Sequence, residues 1–292
     1  MNPLQLVKLP HLMELTSGRA DVLVGLIDGP VAQDHPDLAD AKLRELGGVT
    51  SACFQPSNMA CRHGTFVAGI LCGRRRAAAP SICPDCTLLV RPIFGAAPGE
   101  IGETVSATPE ELAAAIFECI AAGARVLNLS VALVSSPGKG ERKLEEVLNH
   151  ALSRGVLIIA AAGNQGTICS SVITRHPWVI PVAACDHRGR PLGASNLASS
   201  FGRRGLSAPG EQITSLAPAG TALTLSGTSF AVPFVTGAIA LLWSAFPDAP
   251  AAAVKVAVIR SAGGARTSVV PPLLNAAAGY QILADNRRRM TA

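Results

Sequence analysis

Short apolar runs that alternate with helical patterns constrain this chain more than any other feature. Asp21 to Ile27, Thr87 to Phe94, Arg125 to Ser130, Val156 to Ala162 and Trp178 to Ala183 are rich in Val, Ile and Leu and too short for helices. Each reads as a strand buried on both faces. Two of them end at turn residues, Asp28-Gly29-Pro30 and Gly163-Asn164. Helical stretches lie between them. Thr108-Pro109-Glu110-Glu111 opens one with cap, proline and acids in order, and it stops at Gly123. Glu141 to Arg154 is amphipathic and ends at Gly155. This alternation predicts an α/β fold: a doubly wound, mostly parallel sheet flanked by helices in three layers. Half the residues are hydrophobic and few are aromatic, so Ala, Val, Leu and Ile carry the core. That suits a sheet covered on both faces.

One domain is expected over residues 21–284, after an N-terminal extension of residues 1–20 and before a frayed basic tail of residues 285–292. Ser195 to Pro209 reads as a polar, Gly-rich loop. Gln212 to Leu216 and Ala222 to Leu225 read as short strands that lead into an apolar helix from Ser229 to Phe246. Ala249 to Ser261 and Leu273 to Leu283 read as closing helices. The apolar helix is flanked by turn residues and fits a buried core helix better than a membrane span. No apolar block near the start resembles a secretory signal, so a cytoplasmic location is expected.

The net charge of +5 is spread over Arg74-Arg75-Arg76, Arg203-Arg204 and Arg287-Arg288-Arg289. Without aromatic interleaving or a binding motif, these runs read as solvated surface, and no nucleic-acid partner is expected. Eight cysteines are present. The single C-x-x-C, Cys83-Pro84-Asp85-Cys86, has no second ligand pair at zinc-finger spacing. Free thiols are expected there ahead of a local disulfide or a zinc site.

Three residues far apart in sequence offer one chemistry. Asp28 closes an apolar strand, His63 precedes an Ala- and Gly-rich helix, and Ser229 opens the apolar helix. A serine hydroxyl needs a base, histidine serves at neutral pH, and a buried carboxylate fixes the imidazole tautomer. Asn164, at the end of another strand, offers a side-chain N–H that would form an oxyanion hole with the Ser229 backbone N–H. Pro233 is tolerable if it lies in the first helical turn. Gly64 and Gly69 cost helix stability, so close packing beneath the histidine is expected.

The residues Asp28-Gly29, His63-Gly64-Thr65-x-Val67-Ala68-Gly69, Ala162-Gly163-Asn164 and Gly227-Thr228-Ser229-x-Ala231-x-Pro233 resemble the subtilisin-like serine proteases. The resemblance implies catalytic roles for Asp28, His63 and Ser229, and the oxyanion role for Asn164. It implies a peptide laid as an added strand between a wall at Ser130, Val131 and Ala132 and one at Phe94 and Gly95. Many relatives carry Gly-Gly after a Ser-Leu at the first wall. Val131-Ala132-Leu133 should narrow the pocket and so the specificity. Many relatives also hold calcium in a polar loop after the His-bearing helix. Gly73 to Pro80 offers three arginines and almost no side-chain oxygen, so no metal and no cofactor is expected. The short lead before the first strand is similar to the compact, cyanobactin-maturation type of peptide-processing protease. The expected partner is a peptide or protein substrate, such as a ribosomally made precursor, with no membrane involved. A peptide ligase or macrocyclase using the same residues, or a catalytically silent peptide binder, are the alternatives.

Overall fold

A computed structural model describes residues 2–47, 53, 58–94, 107–131, 140–262 and 269–291, the side chains of 290 and 291 excepted. In chain order the elements are α1 (Pro3–Leu6), α2 (Leu9–Leu15), β1 (Leu23–Asp28), β2 (Lys42–Glu45), α3 (Met59–Cys72), β3 (Thr87–Pro92), α4 (Pro109–Ala121), β4 (Val126–Leu129), α5 (Glu141–Arg154), β5 (Leu157–Ala161), α6 (Val172–Arg175), β6 (Ile180–Cys185), α7 (Phe201–Arg204), β7 (Leu206–Pro209), β8 (Ile213–Ala217), β9 (Thr221–Leu225), α8 (Thr228–Ala245), α9 (Ala251–Arg260) and α10 (Ala276–Thr291).

Seven strands form one sheet in the order β2-β3-β1-β4-β5-β6-β7, and every pairing in it is parallel. β8 and β9 form a separate antiparallel hairpin. Period-two alternation sends successive strand residues to opposite faces. Val24, Leu26, Leu88, Val90, Leu157 and Ile159 join one apolar cluster with α3 and α8. Ile27, Leu89, Leu127, Leu129 and Ile158 join the other with α4 and α5. The expected three-layer α/β/α arrangement is thus present. Strand order reverses on either side of β1, and in open α/β sheets ligands bind beyond the carboxyl ends of strands at such a point.

Four segments depart from expectation. The first twenty residues belong to the fold rather than extending from it, with Val7, Leu9 and Leu12 buried in the main core. Pro3 and Pro10 look like breakers in sequence, but each stands in the first turn of its helix, where no N–H is needed. Residues 285 to 291, expected to fray, continue α10 as helix, and Gln281 Nε2 donates to Asp285 Oδ1 at 3.1 Å. β7 lies inside the expected polar loop; all four of its residues are buried, and Ser207 hides its polarity by donating to Pro271 O at 2.7 Å. β2 is an exposed edge strand whose charges, Lys42, Arg44 and Glu45, mask its strand character and protect the edge.

The most apolar helix, α8, is long enough to cross a membrane by composition, but 89% of it is buried within the fold.

Candidate active site

Asp28 is the last residue of β1 and is fully buried. One of its oxygens, Oδ1, accepts the Gly29 N–H and contacts His63 Nδ1, both at 2.6 Å. This meeting requires α3 to lie almost on the backbone after β1. A Cβ on Gly29 would fall 2.0 Å from Ala60 O, and one on Gly64 would fall 2.3 Å from Gly29 O. No side chain fits either place. Gly69 serves the same end further along, where a Cβ would meet Ser215 Oγ at 2.5 Å.

The sequence places His63 at a helix start. α3 in fact begins at Met59 with Asn58 as its cap, accepting from Ala60 N at 2.8 Å, so His63 lies in the second turn. Cys61, two residues earlier, is joined to Cys53 by a disulfide rather than being a free thiol. Cys83 and Cys86 are free thiols, as expected for the C-x-x-C. Burial is the strongest influence on the His63 imidazole and opposes its charge, but the charge of Asp28 and its hydrogen bond outweigh it. The imidazole pKa is therefore raised above the ordinary value.

Ser229 is the second residue of α8, and its neighbour Phe230 places a ring centroid 5.3 Å from that of His63. Acid, imidazole and alcohol therefore gather at one rim of the sheet. The hydroxyl does not rest on the imidazole: Ser229 Oγ donates to Ser130 O at 2.9 Å. Pro233 is the sixth residue of α8 and so lies in its second turn rather than its first. With no N–H, it cannot serve the carbonyl four residues back, which is Ser229 O. The Ser130 hydroxyl donates to that carbonyl instead, at 2.8 Å.

Asn164 follows β5 through Gly163, whose φ of 105° favours glycine. Asn164 Oδ1 accepts from Thr228 N at 2.9 Å and from Thr228 Oγ1 at 3.0 Å. With the amide oxygen so engaged, Nδ2 is turned to donate elsewhere. Among the described residues, neither Asn164 Nδ2 nor the Ser229 N–H carries a hydrogen bond. Two unused donors beside a serine are what an oxyanion site requires.

At the expected peptide walls the side chains of the described residues are occupied within the fold. Phe94 and Val131 are 8% and 7% exposed and belong to the apolar cluster beneath α4 and α5. Ser130 spends its hydroxyl on Ser229 O. Their side chains therefore serve packing and support, and only backbone remains to meet a peptide there. Gly95 and Ala132 lie outside the described residues.

Sequence reasoning missed a buried polar chain beneath the serine. Thr236 Oγ1 donates to Asn128 Oδ1 at 3.0 Å, and Asn128 Nδ2 donates to Ser130 Oγ at 2.8 Å. Asn128 and Thr236 are fully buried. The signal was present: Asn128 is a lone amide in an otherwise apolar strand, and a buried amide must be paired.

From the loop after α3, where many relatives hold calcium, a guanidinium reaches backbone oxygens of neighbouring segments. Arg75 donates to Met13 O at 2.6 Å, Thr16 O at 3.1 Å and Ile82 O at 3.2 Å. Residues 73–80 carry three arginines and no carboxylate, and the Arg74 carbonyl already accepts from Ala77 N and Ser81 Oγ, so these residues do not fit a calcium ion.

The profile of the subtilase family matches residues 19–281. The chain is 30% identical over 236 residues to a thermophilic serine proteinase of Bacillus sp. (strain AK1), covering 80% of this chain but only 55% of that protein. It superposes on a mutant of the protease domain of PatA with a TM-score of 0.84 and 32% identity, covering 92% of this chain and 97% of that one. The prenylagaramide maturation protease PagA aligns with a TM-score of 0.82 and 30% identity, covering 94% and 98%.

Proposed function

Since the chain belongs to the subtilase family of serine peptidases, we propose that it is a serine endopeptidase in which Ser229 attacks the peptide carbonyl, His63 takes its proton and Asp28 orients the imidazole. The observation that carries this reading is the 2.6 Å contact of the buried Asp28 carboxylate with His63 Nδ1, beside the helix end that bears Ser229. The contact fixes the tautomer with Nε2 free to accept a proton. Attack requires the Ser229 hydroxyl to leave Ser130 O and turn toward Nε2, since catalytic hydrogen bonds often form only in the substrate complex. The Ser229 N–H and Asn164 Nδ2 then receive the oxyanion. The protonated imidazole passes its proton to the leaving amine, and water resolves the acyl-enzyme.

The substrate proposed is a peptide segment within a narrow sequence context, such as a ribosomally made precursor. The similarity to proteins described as maturation proteases supports it. Digestion of a peptide library by the intact chain and by Ser229→Ala, read by mass spectrometry, tests both parts. Cleavage confined to the intact protein, giving linear acids at a restricted set of sites, is expected. Cutting that persists in Ser229→Ala removes the mechanism, and cyclic or ligated amides in place of acids replace hydrolysis by transfer.

A further inference from the structure

Two positions lie inside the site motifs without being part of the resemblance: the residue three after His63 and the residue directly after Ser229. In this chain both are phenylalanine, and they touch. The Phe66 and Phe230 ring centroids lie 4.6 Å apart at an interplanar angle of 55°. Phe230 in turn meets the imidazole of His63 at 5.3 Å and 42°. Phe66 is fully buried and Phe230 is 6% exposed. Phe66 and His63 are three apart on α3 and so share a face of the helix. The backbone of Phe66 is held from behind, since Ser215 Oγ donates to Phe66 O at 2.7 Å.

We propose that Phe230, buttressed by Phe66, is a positioning residue that fixes the plane of the His63 imidazole. The proposal rests on the reading of His63 as the base for Ser229. A single hydrogen bond at Nδ1 leaves the ring room to swing, because such bonds tolerate tens of degrees of misalignment before they weaken steeply. A swing of that size moves Nε2 by a large fraction of an ångström, and misplacement of about 1 Å can cost about 100-fold in rate. Among the described residues Nε2 has no hydrogen bond to restrain it, and Asp28 is the one charged group acting on the ring. The ring face of Phe230 supplies the missing restraint. The 5.3 Å separation lies within the range of aromatic contact, and a planar ring wedged against the imidazole limits its swing by shape as well as by burial. The Phe230 ring also keeps water from one face of the imidazole.

The test needs no known substrate. The rate at which a fluorophosphonate labels Ser229 is measured against pH for the intact chain, Phe230→Leu, Phe230→Ala and Phe66→Leu, with thermal melts to establish folding. Phe230→Leu, which keeps apolar cover but removes the planar face, should label about tenfold more slowly with its acid midpoint unmoved. Phe230→Ala should be slow as well, with the midpoint moved to higher pH as the imidazolium regains water. Phe66→Leu should show a smaller loss in the same direction as Phe230→Leu. Wild-type labelling rates and midpoints in folded Phe230→Leu and Phe230→Ala would overturn the proposal. If the intact chain itself fails to label, the protease reading fails instead. The stack is then still decided by an NMR titration of the histidine rings, with His63 assigned through His63→Gln. In the same spectra the His63 ring protons should lose the ring-current shift that Phe230 imposes when it is replaced in Phe230→Leu, and unchanged shifts refute the proposal there too.

Discussion

The Ser229 carbonyl takes its hydrogen bond from the Ser130 hydroxyl, at 2.8 Å, and Ser229 Oγ returns one to Ser130 O at 2.9 Å. The exchange exists because Pro233 has no N–H to offer the carbonyl one turn back. The proline thus turns a helical defect into a docking point between α8 and the end of β4. Asn128 and Thr236 extend the exchange into the core. Ser229 is therefore held by the sheet as well as by its own helix.

Ser130→Ala removes the donor to Ser229 O and the acceptor for Asn128 Nδ2. A buried polar group left unpaired costs about 1–3 kcal/mol. The variant should melt several degrees lower, with slower labelling of Ser229 by a fluorophosphonate. Thr236→Val, at the far end of the chain of hydrogen bonds, should lower stability with a smaller effect on labelling. Equal labelling losses in both variants would mean that Ser130 has no special hold on the serine.

Asn164 carries the next expectation. Asn164→Ala should lower kcat by roughly 100-fold or more with little change in KM, the loss seen when subtilisin gives up its oxyanion asparagine. Thr228→Val keeps the backbone donor to Asn164 Oδ1 but loses the hydroxyl, so its loss should be much smaller and again confined to kcat. Single-turnover kinetics on a cleaved library peptide separates the two. A rise in KM with unchanged kcat in either variant would make these residues part of the peptide cleft instead.

The strands and the long helices were legible in the sequence because buried parallel strands are apolar throughout and capped helices announce their ends. Asp28, Asn164 and Ser229 were legible because each stands where such an element starts or stops, whereas His63 stands a turn inside α3 and was legible from its Gly64 and Gly69 neighbours. Tertiary partners were not. That Pro233 hands Ser229 O to Ser130, or that Phe66 meets Phe230, depends on the crossing of α3 and α8 over the sheet, which no local pattern encodes. β7 escaped because a four-residue strand with a serine in it looks like a loop until Pro271 is seen to satisfy that serine. The short helices α1 and α2 escaped because proline reads as a breaker when its place in the first turn is unknown.

The Asp28–His63 pair predicts opposite pH trends for activity and stability. The base must be neutral, and its pKa is raised, so the acid limb of kcat/KM should lie above the ordinary imidazole value of about 6.5. For stability the sign reverses. A raised folded pKa means the pair's contribution is fully present below the unfolded pKa and is lost as pH rises through the folded one. Urea titrations of the intact chain and His63→Gln across this interval should converge as pH rises, while activity climbs. Asp28→Asn should move the acid limb downward and abolish most of the activity. An acid limb at or below the ordinary value in the intact chain contradicts the arrangement.

The Arg75 guanidinium ties the N-terminal helices to the loop after α3 by donating to Met13 O, Thr16 O and Ile82 O. A divalent cation would do the same work from the same kind of oxygen, but it would need six or more of them. The guanidinium's rigid, planar set of donors reaches three with no exchangeable ion. The fold should therefore be indifferent to chelators, with the same melting temperature in excess EDTA and in added calcium. Arg75→Met keeps much of the apolar stem but leaves the carbonyls unserved, and should cost on the order of 2 kcal/mol, since hydrogen bonds to charged groups contribute about 1.5–3 kcal/mol. The loss should appear first at the N-terminus, as faster hydrogen exchange of the α2 amides or earlier nicking by an added protease. A melting temperature that falls with EDTA and returns with calcium would show that an ion, not Arg75, holds this corner together.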